Sequence, residues 1–235
     1  MHNKKEGKSA QQFYDQIYYA GAGGQRVSAA WHTRRIARRL GNLRDKRVLD
    51  VGCGLGEWLE LLGRHGALLS GIDISERAVK VCREHLPGAD VRLGSAGSLP
   101  WPDATFDLVT CLGSLEHFDD KPRALEEMVR VGAAQARYLI LVPNAGFLTR
   151  RLGFYAGTQQ TRLREDVYSL HKWAHLFRTA GLGVQRRWRD LHTLDHRWVT
   201  TGPTRQWVLR AAQAVMLPIW PIDWQYQVYH LCKKV

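Results

Sequence analysis

The most informative stretch of the sequence is a glycine-rich segment, residues 48–56, which reads VLDVGCGLG. An apolar run leads into it, and an amphipathic stretch over 57–65 follows it. This pattern predicts a buried strand, a tight turn and a helix, because glycine adopts backbone conformations closed to other residues and lets a ligand approach the main chain. The first N–H groups of the helix would be unpaired. The segment therefore predicts a turn that binds a nucleotide or nucleoside.

Asp73 supplies the second chemical element. It ends the next apolar run, about 20 residues after Gly52, where a carboxylate can accept hydrogen bonds from both hydroxyls of a ribose. A dinucleotide of the NAD type is the competing ligand. Its GxGxxG spacing is replaced here by GxGxG followed by Glu57, an acidic residue that would repel a pyrophosphate. The residues favour S-adenosylmethionine, whose sulfonium and ammonium groups are positive.

Alternating apolar and amphipathic stretches must position these residues, and this alternation predicts βαβ units with a parallel sheet. Strands are predicted at 47–51, 68–72, 90–93, 107–112 and 138–142. Helices are predicted at 57–65, 76–85, 121–132 and 169–180, with two more before residue 40 on either side of Gly21–Gly24 and another at about 204–217. Two further strands are predicted, one directly after the 169–180 helix and one at the end of the chain.

Five motifs resemble those of the class I S-adenosylmethionine-dependent methyltransferases, in the small-molecule, type 11-like branch. They are DVGCGLG (50–56), GIDIS (71–75), LPWPD (99–103), FDLV (106–109) and LEHF (115–118). The resemblance implies one α/β, Rossmann-like domain with a mostly parallel seven-stranded sheet flanked by helices. Its parts would be N-terminal lid helices (1–44), a cofactor-binding core (45–145) and substrate-side segments with the last strands (146–235), including an insertion before the final strand.

The same resemblance implies how the cofactor is held. The three glycines of the turn would surround the methionine part, Asp73 the ribose, Ile74 one face of the adenine, and the Leu112 carbonyl the ammonium group. Ser95 stands where the family usually has an acidic residue beside the adenine. The predicted cofactor-binding residues are Asp50, Gly52, Cys53, Gly54, Gly56, Asp73, Ile74, Ser95, Ala96 and Leu112.

Two histidines are the predicted catalytic residues. Methyl transfer needs positioning, and a general base where the acceptor is an alcohol. His117 follows the fourth strand and is the leading base, His171 at the start of the 169–180 helix is the second candidate, and Glu116 is interpreted as structural. Two HxxxH pairs begin at His171 and His192, but no cysteine or carboxylate cluster joins them, so no metal site is predicted.

The acceptor is expected to meet the N-terminal helix and the segments beyond the core. Tyr14 and Tyr18 would form a lid over the cofactor or serve as core aromatics. Tryptophans near arginine and histidine suit a sugar or an anionic group, although they could equally fill the core. The predicted substrate-binding residues are Tyr14, Tyr18, Asn144, Tyr168, His192 and Trp198. We expect methyl transfer to a small-molecule or saccharide-like acceptor, with O-methylation preferred.

The formal charge of +12 keeps other functions open. The alternatives are an N-methyltransferase of a small amine, an RNA methyltransferase, and a non-catalytic scaffold using 216–224 at a membrane surface. Nucleic acid is the less favoured partner, because no appended RNA-binding module is recognisable. Four dispersed cysteines, a polar N-terminal stretch and no long apolar run favour a cytoplasmic location, with peripheral contact at the inner membrane surface as the alternative.

Overall fold

A computed structural model describes residues 11–19, 30–151, 165–194, 207, 215–216 and 219–235. The strands are β1 (Arg47–Val51), β2 (Leu68–Asp73), β3 (Asp90–Leu93), β4 (Phe106–Leu112), β5 (Gly132–Pro143), β6 (Leu182–Arg189) and β7 (Gln227–Lys234). The α-helices are α1 (Trp31–Arg39), α2 (Glu57–Gly63), α3 (Glu76–His85), α4 (Lys121–Val131), α5 (Leu148–Arg151) and α6 (Leu170–Thr179). Trp198 and most of the helix predicted at 204–217 lie outside the described residues.

All seven strands form one sheet in the order β3-β2-β1-β4-β5-β7-β6. β7 is antiparallel to both of its neighbours, and the other pairs are parallel. This confirms the predicted α/β fold with a mostly parallel seven-stranded sheet. From β1 the chain proceeds to β2 and β3 on one side, and then returns to β4 on the other. Such a reversal opens a crevice at the carboxyl ends of the strands, where ligands of open α/β sheets bind.

Helices cover both faces of the sheet. Ile36 of α1 and Leu62 of α2 belong to a cluster on one face, and Met128 of α4 and Trp173 of α6 belong to the cluster on the other. Burying a large apolar side chain contributes about 1.5–3 kcal/mol. Side-chain oxygens fix where three helices begin: Ser75 accepts the Ala78 N–H, Asp120 the Arg123 N–H and Ser169 the Lys172 N–H.

Some boundaries differ from the sequence-based ones. β5 begins at Gly132 rather than Tyr138, because α4 ends there and the chain enters the sheet directly. The first N-terminal helix contains a π-helical stretch, Tyr14–Tyr18, instead of a regular α-helix. All four cysteines are buried free thiols. Among the described residues, no helix combines the length and apolar character needed to cross a membrane.

Candidate cofactor and acceptor site

The glycine turn lies between β1 and α2 and folds back over the end of β2. The N–H groups of Gly52 and Cys53 both donate to the Ile72 carbonyl, at 2.8 and 3.0 Å. Gly52 has φ +76° and Gly56, which precedes α2, has φ +87°, a region that costs other residues energy. A Cβ on Gly52 would also lie 2.5 Å from Ser114 Oγ. Glycine is therefore required at position 52 for both conformation and space.

Asp73 joins this turn to the tip of β2. Its Oδ2 accepts the Gly54 N–H at 2.8 Å, and its Oδ1 accepts the Ser75 N–H at 2.9 Å. Burial raises the pKa of Asp73, and the hydrogen bonds from these N–H groups oppose that rise. A carboxylate has about four lone-pair sites, so the Asp73 carboxylate can hold the turn and still accept hydrogen bonds from a ligand.

A cavity of about 660 Å³ lies at the carboxyl ends of the central strands. Its volume falls within the range of about 300–1,000 Å³ typical of small-molecule sites. The predicted residues that line it are Tyr14, Tyr18, Gly52, Asp73, Ile74, Ser95, Ala96, Leu112 and His117. One space therefore unites most of the predicted cofactor residues with the leading candidate base and both predicted lid tyrosines.

The lining fits an adenosyl group. Asp73 presents a carboxylate for the ribose hydroxyls, and Ile74 with Ala96 presents apolar surface for the adenine ring. The Ser95 hydroxyl, which accepts the Gly97 N–H at 3.2 Å, is a polar group beside them. Gly52 leaves main chain uncovered at the cavity wall. The residues present therefore fit S-adenosylmethionine, and they would hold its adenosyl group in this cavity.

Four of the predicted cofactor residues do not line the cavity and instead shape the turn. Gly54 donates to Asp73, and Gly56 and Cys53 pack beside Cys82. Asp50 is buried within the sheet on β1, where its Oδ1 accepts the Thr110 hydroxyl at 2.6 Å, and burial raises its pKa to about 7. None of the four therefore lines the cavity, and their contact with the cofactor stays a prediction.

The N-terminal helix covers the cavity and is attached to α3. The Asp15 carboxylate accepts the Ser75 hydroxyl at 2.5 Å and the Arg77 N–H at 3.2 Å. Tyr19 also lines the cavity, and its hydroxyl lies 2.8 Å from the point that a Cβ on Gly54 would occupy. Burial raises the pKa values of the Tyr14 and Tyr19 phenols. These phenols therefore remain protonated and serve as walls of the cavity rather than as bases.

Sequence reasoning missed Tyr19 because it assumed an α-helical repeat. An α-helix pairs Tyr14 with Tyr18, whereas the π-helical bond from the Tyr19 N–H to the Tyr14 carbonyl at 2.8 Å brings Tyr19 onto that face as well. Ser114 was missed too: it lines the cavity, and its Oγ lies close to Gly52. The two consecutive tyrosines at 18 and 19 are the sequence feature that could have indicated Tyr19 as a cavity residue.

The chain after β4 forms the opposite wall. His117 ends the 3₁₀ turn Leu115–His117 and is partly exposed to the cavity. Glu116 points inward, and burial raises its pKa to about 8. Its Oε2 has no hydrogen-bond partner in the part of the chain that the structure describes. Glu116 is thus protonated near neutral pH and buried behind the wall.

His171 and Asn144 do not reach this cavity. His171 is exposed on the first turn of α6, where it lines no part of the cavity. Asn144 is buried, and its amide donates to the carbonyls of Asp223 and Gln225 at 2.8 and 3.1 Å. These hydrogen bonds connect the end of β5 to the segment before β7, so the Asn144 amide has a structural role. The structure therefore does not bring these two residues to the cavity, and their contacts with reactants stay predictions.

Tyr168 and His192 are also placed away from the cavity. The Tyr168 ring packs against Trp173 with centroids 4.8 Å apart, and the Lys172 ammonium lies 3.5 Å from its centroid. His192 Nδ1 lies 2.5 Å from Asp190 Oδ2, at the carboxyl end of β6. Neither side chain lines the cofactor cavity, because ring packing holds Tyr168 elsewhere and the hydrogen bond with Asp190 does the same for His192.

The fold and the site together define a Rossmann-like protein that binds an adenosyl group at the switch point of its sheet. Residues 49–140 match the type 11 family described as a methyltransferase domain. A ubiquinone biosynthesis O-methyltransferase from Alkalilimnicola ehrlichii is 29% identical over 73% of this chain and 70% of its own length. Ajmaline N-methyltransferase from Rauvolfia serpentina is 37% identical over 41% of this chain and 35% of its own length.

A solved structure agrees with the fold. An S-adenosylmethionine-dependent methyltransferase from Aquifex aeolicus superimposes with a TM-score of 0.61, at 16% identity over 98% of both chains. The chain belongs to the class I S-adenosylmethionine-dependent methyltransferases, and S-adenosylmethionine is its cofactor. Since it spans only about a third of the length of the second relative, no acceptor is carried over from these names.

Proposed function

We propose that this chain transfers a methyl group from S-adenosylmethionine to a small-molecule or saccharide-like acceptor, and that the acceptor atom is an oxygen. The observation that carries the proposal is the shared cavity, in which Gly52 and Asp73 lie on one wall and His117 on the other. When bound, the cofactor supplies an electrophilic methyl group on a positively charged sulfur. The remaining tasks for the protein are to orient the acceptor, exclude water and remove a proton.

His117 is proposed as the proton acceptor. A hydroxyl acceptor needs a base as its oxygen becomes nucleophilic, and an imidazole is the usual group for this near neutral pH. Its neighbours suit the task less well, since Glu116 is buried and the Tyr14 and Tyr19 phenols hold their protons. The relative named as a ubiquinone biosynthesis O-methyltransferase supports oxygen as the acceptor atom.

Amine methylation is the second candidate, and a specific feature of the cavity favours it. Asp119 and Asp120 line the cavity directly after His117, with Arg123 as the nearby cation. Two carboxylates suit a positively charged amine better than an anionic group. The relative named as ajmaline N-methyltransferase points the same way.

The charged groups of the cavity weigh against an anionic acceptor there. Carboxylates outnumber guanidinium groups along its walls, although the whole chain has a net charge of +12. The same charges speak against RNA at this cavity, because nucleic acid needs cations along its path. The cytoplasmic location and membrane-surface contact stay predictions.

Calorimetry with S-adenosylhomocysteine followed by a labelled-methyl transfer screen tests the proposal. The screen includes nucleotide sugars, glycans, phenols, amines and RNA. We expect micromolar affinity for S-adenosylhomocysteine and transfer to at least one hydroxyl compound. Turnover confined to amines would replace oxygen with nitrogen, and cofactor binding without transfer to any acceptor class would contradict enzymatic function.

A further inference from the structure

A second cavity, of about 150 Å³, lies between α1 and the edge strand β6. We call it the basic groove and define it by His32, Arg35, Arg39, Trp188 and Arg189. None of these residues lines the cofactor cavity. No carboxylate lines the basic groove within the part of the chain that the structure describes, so its charge is opposite to that of the cofactor cavity.

Two guanidinium groups of the basic groove, those of Arg35 and Arg39, stand one helical turn apart on α1. Among the described residues, neither Arg35 nor Arg39 forms an ion pair with a carboxylate. The Arg39 guanidinium lies 5.3 Å from the centroid of the Trp188 ring. Burial and the neighbouring charge of Arg35 lower the pKa of Arg39. The two positive charges therefore repel each other, and a bound anion would offset this repulsion.

Asp190, the acidic residue that follows Arg189, already has hydrogen-bond partners. Asp190 is 5% exposed, and its Oδ2 lies 2.5 Å from His192 Nδ1. Its Oδ1 accepts the His192 N–H at 3.1 Å and lies 3.6 Å from His32 Nδ1. Among the described residues, Asp190 forms no ion pair with Arg35 or Arg39, because its carboxylate oxygens face these two histidines. Arg189 in turn donates its Nε–H to the Trp220 carbonyl at 3.0 Å, which fixes its side chain at the rim.

We propose that the basic groove binds a phosphoryl group. A guanidinium group is planar and donates two parallel hydrogen bonds to phosphate oxygens, and one that stacks on an aromatic ring keeps its N–H edge for a ligand. Water occupies about 30 Å³ per molecule in the liquid. The groove thus has room for a phosphoryl group and a few waters. The phosphoryl group belongs either to a soluble phosphate compound or to a phospholipid headgroup.

Titration of the full chain with pyrophosphate, followed by calorimetry and phosphorus NMR, tests this site. The variants are Arg35→Gln and Arg39→Gln, with Arg38→Gln as a matched control that removes one exposed arginine of α1 outside the groove. Each groove variant should weaken pyrophosphate binding by about tenfold, the loss expected for charge-assisted hydrogen bonds, and the control should bind as the wild type does. Unchanged affinity for S-adenosylhomocysteine would show that the variants are folded.

The source of the phosphoryl group is resolved by vesicle binding near physiological salt, with phosphatidylglycerol compared with phosphatidylcholine. Vesicle binding that falls in both groove variants but not in Arg38→Gln assigns the groove to lipid headgroups. Pyrophosphate binding without vesicle binding assigns it to soluble phosphates. Equal losses in all three variants would show only diffuse attraction and overturn the proposal, as would no binding of either probe at millimolar concentration. These readouts do not depend on methyl transfer.

Discussion

The two walls of the cofactor cavity are built in different ways. The cofactor wall consists of the short connections after β1 and β2, where main-chain atoms of Gly52 and the carboxylate of Asp73 lie next to each other. The acceptor wall combines the N-terminal helix with the turn after β4, so that Tyr14 and His117, which are far apart in sequence, line the same cavity. The cofactor wall is therefore a local structure, whereas the acceptor wall depends on tertiary contacts.

A pair of buried carboxyl groups shows the same difference. Asp73 on the cofactor wall has a backbone N–H on each oxygen. Glu116 behind the acceptor wall has one oxygen without a partner in the described structure, and its pKa is raised to about 8. The carboxyl group of the cofactor wall thus accepts a hydrogen bond on each oxygen, whereas the one behind the acceptor wall is held in its neutral form. Substitutions on the two walls should therefore separate binding from turnover.

Replacing His117 with Ala should give the largest change in turnover. Loss of a general base typically costs about 100-fold or more, and S-adenosylhomocysteine affinity should stay within about twofold. Steady-state kinetics and calorimetry on the same preparation measure both quantities. His171→Ala is the control, because His171 is exposed on α6. Equal turnover in the His117 variant and the wild type would show that His117 is not the base.

Replacing Asp73 with Ala should act on cofactor binding. We expect at least about a tenfold loss of S-adenosylhomocysteine affinity, about 1.4 kcal/mol, from the missing ribose hydrogen bonds. The N–H groups of Gly54 and Ser75 would also lose their acceptor, which lowers the free energy of unfolding by about 1–3 kcal/mol. Asp107→Ala is the control, since Asp107 also accepts a backbone N–H, from Arg47, far from the cavity. An unchanged affinity in the Asp73 variant would remove this residue from the ribose site.

Gly52→Ala and Gly41→Ala separate steric exclusion from backbone strain. Both glycines have positive φ, +76° and +73°, but a Cβ on Gly41 meets no atom within 4 Å, whereas one on Gly52 meets Ser114. Both variants should lose stability, and Gly52→Ala should lose about 1 kcal/mol more. It alone should weaken S-adenosylhomocysteine binding. Urea unfolding and calorimetry measure these differences, and equal behaviour of the two variants would contradict the importance of close packing at the turn.

The sequence predicted the cofactor wall better than the acceptor wall, because the first is a local structure and the second depends on tertiary contacts. The strand, glycine turn and Asp73 were predictable because backbone conformation restricts which residues fit, and that restriction is visible locally. The acceptor wall was predicted only in part. The position of Tyr19 at the cavity depends on a π-helical stretch. The Asn144 amide donates a hydrogen bond to the Asp223 carbonyl, which lies far away in the sequence. No periodic pattern contains that information, since both depend on which segments meet in the folded chain.

Glu116→Gln tests the buried carboxyl group through the pH dependence of stability. The folded pKa of about 8 lies above the ordinary value of 4.5, so between these values the folded protein binds more protons at this site than the unfolded chain does. The contribution of Glu116 to stability therefore falls as the pH rises through this window. Gln cannot ionise, so the stability of the variant relative to the wild type should increase by about 3 kcal/mol from pH 5 to pH 8, at about 1.4 kcal/mol for each pH unit in which only the unfolded chain is ionised. Asp50 titrates in both proteins and cancels in the difference. Urea unfolding at both pH values measures the change, and a pH-independent difference would show that Glu116 is ionised in the folded protein and has a partner.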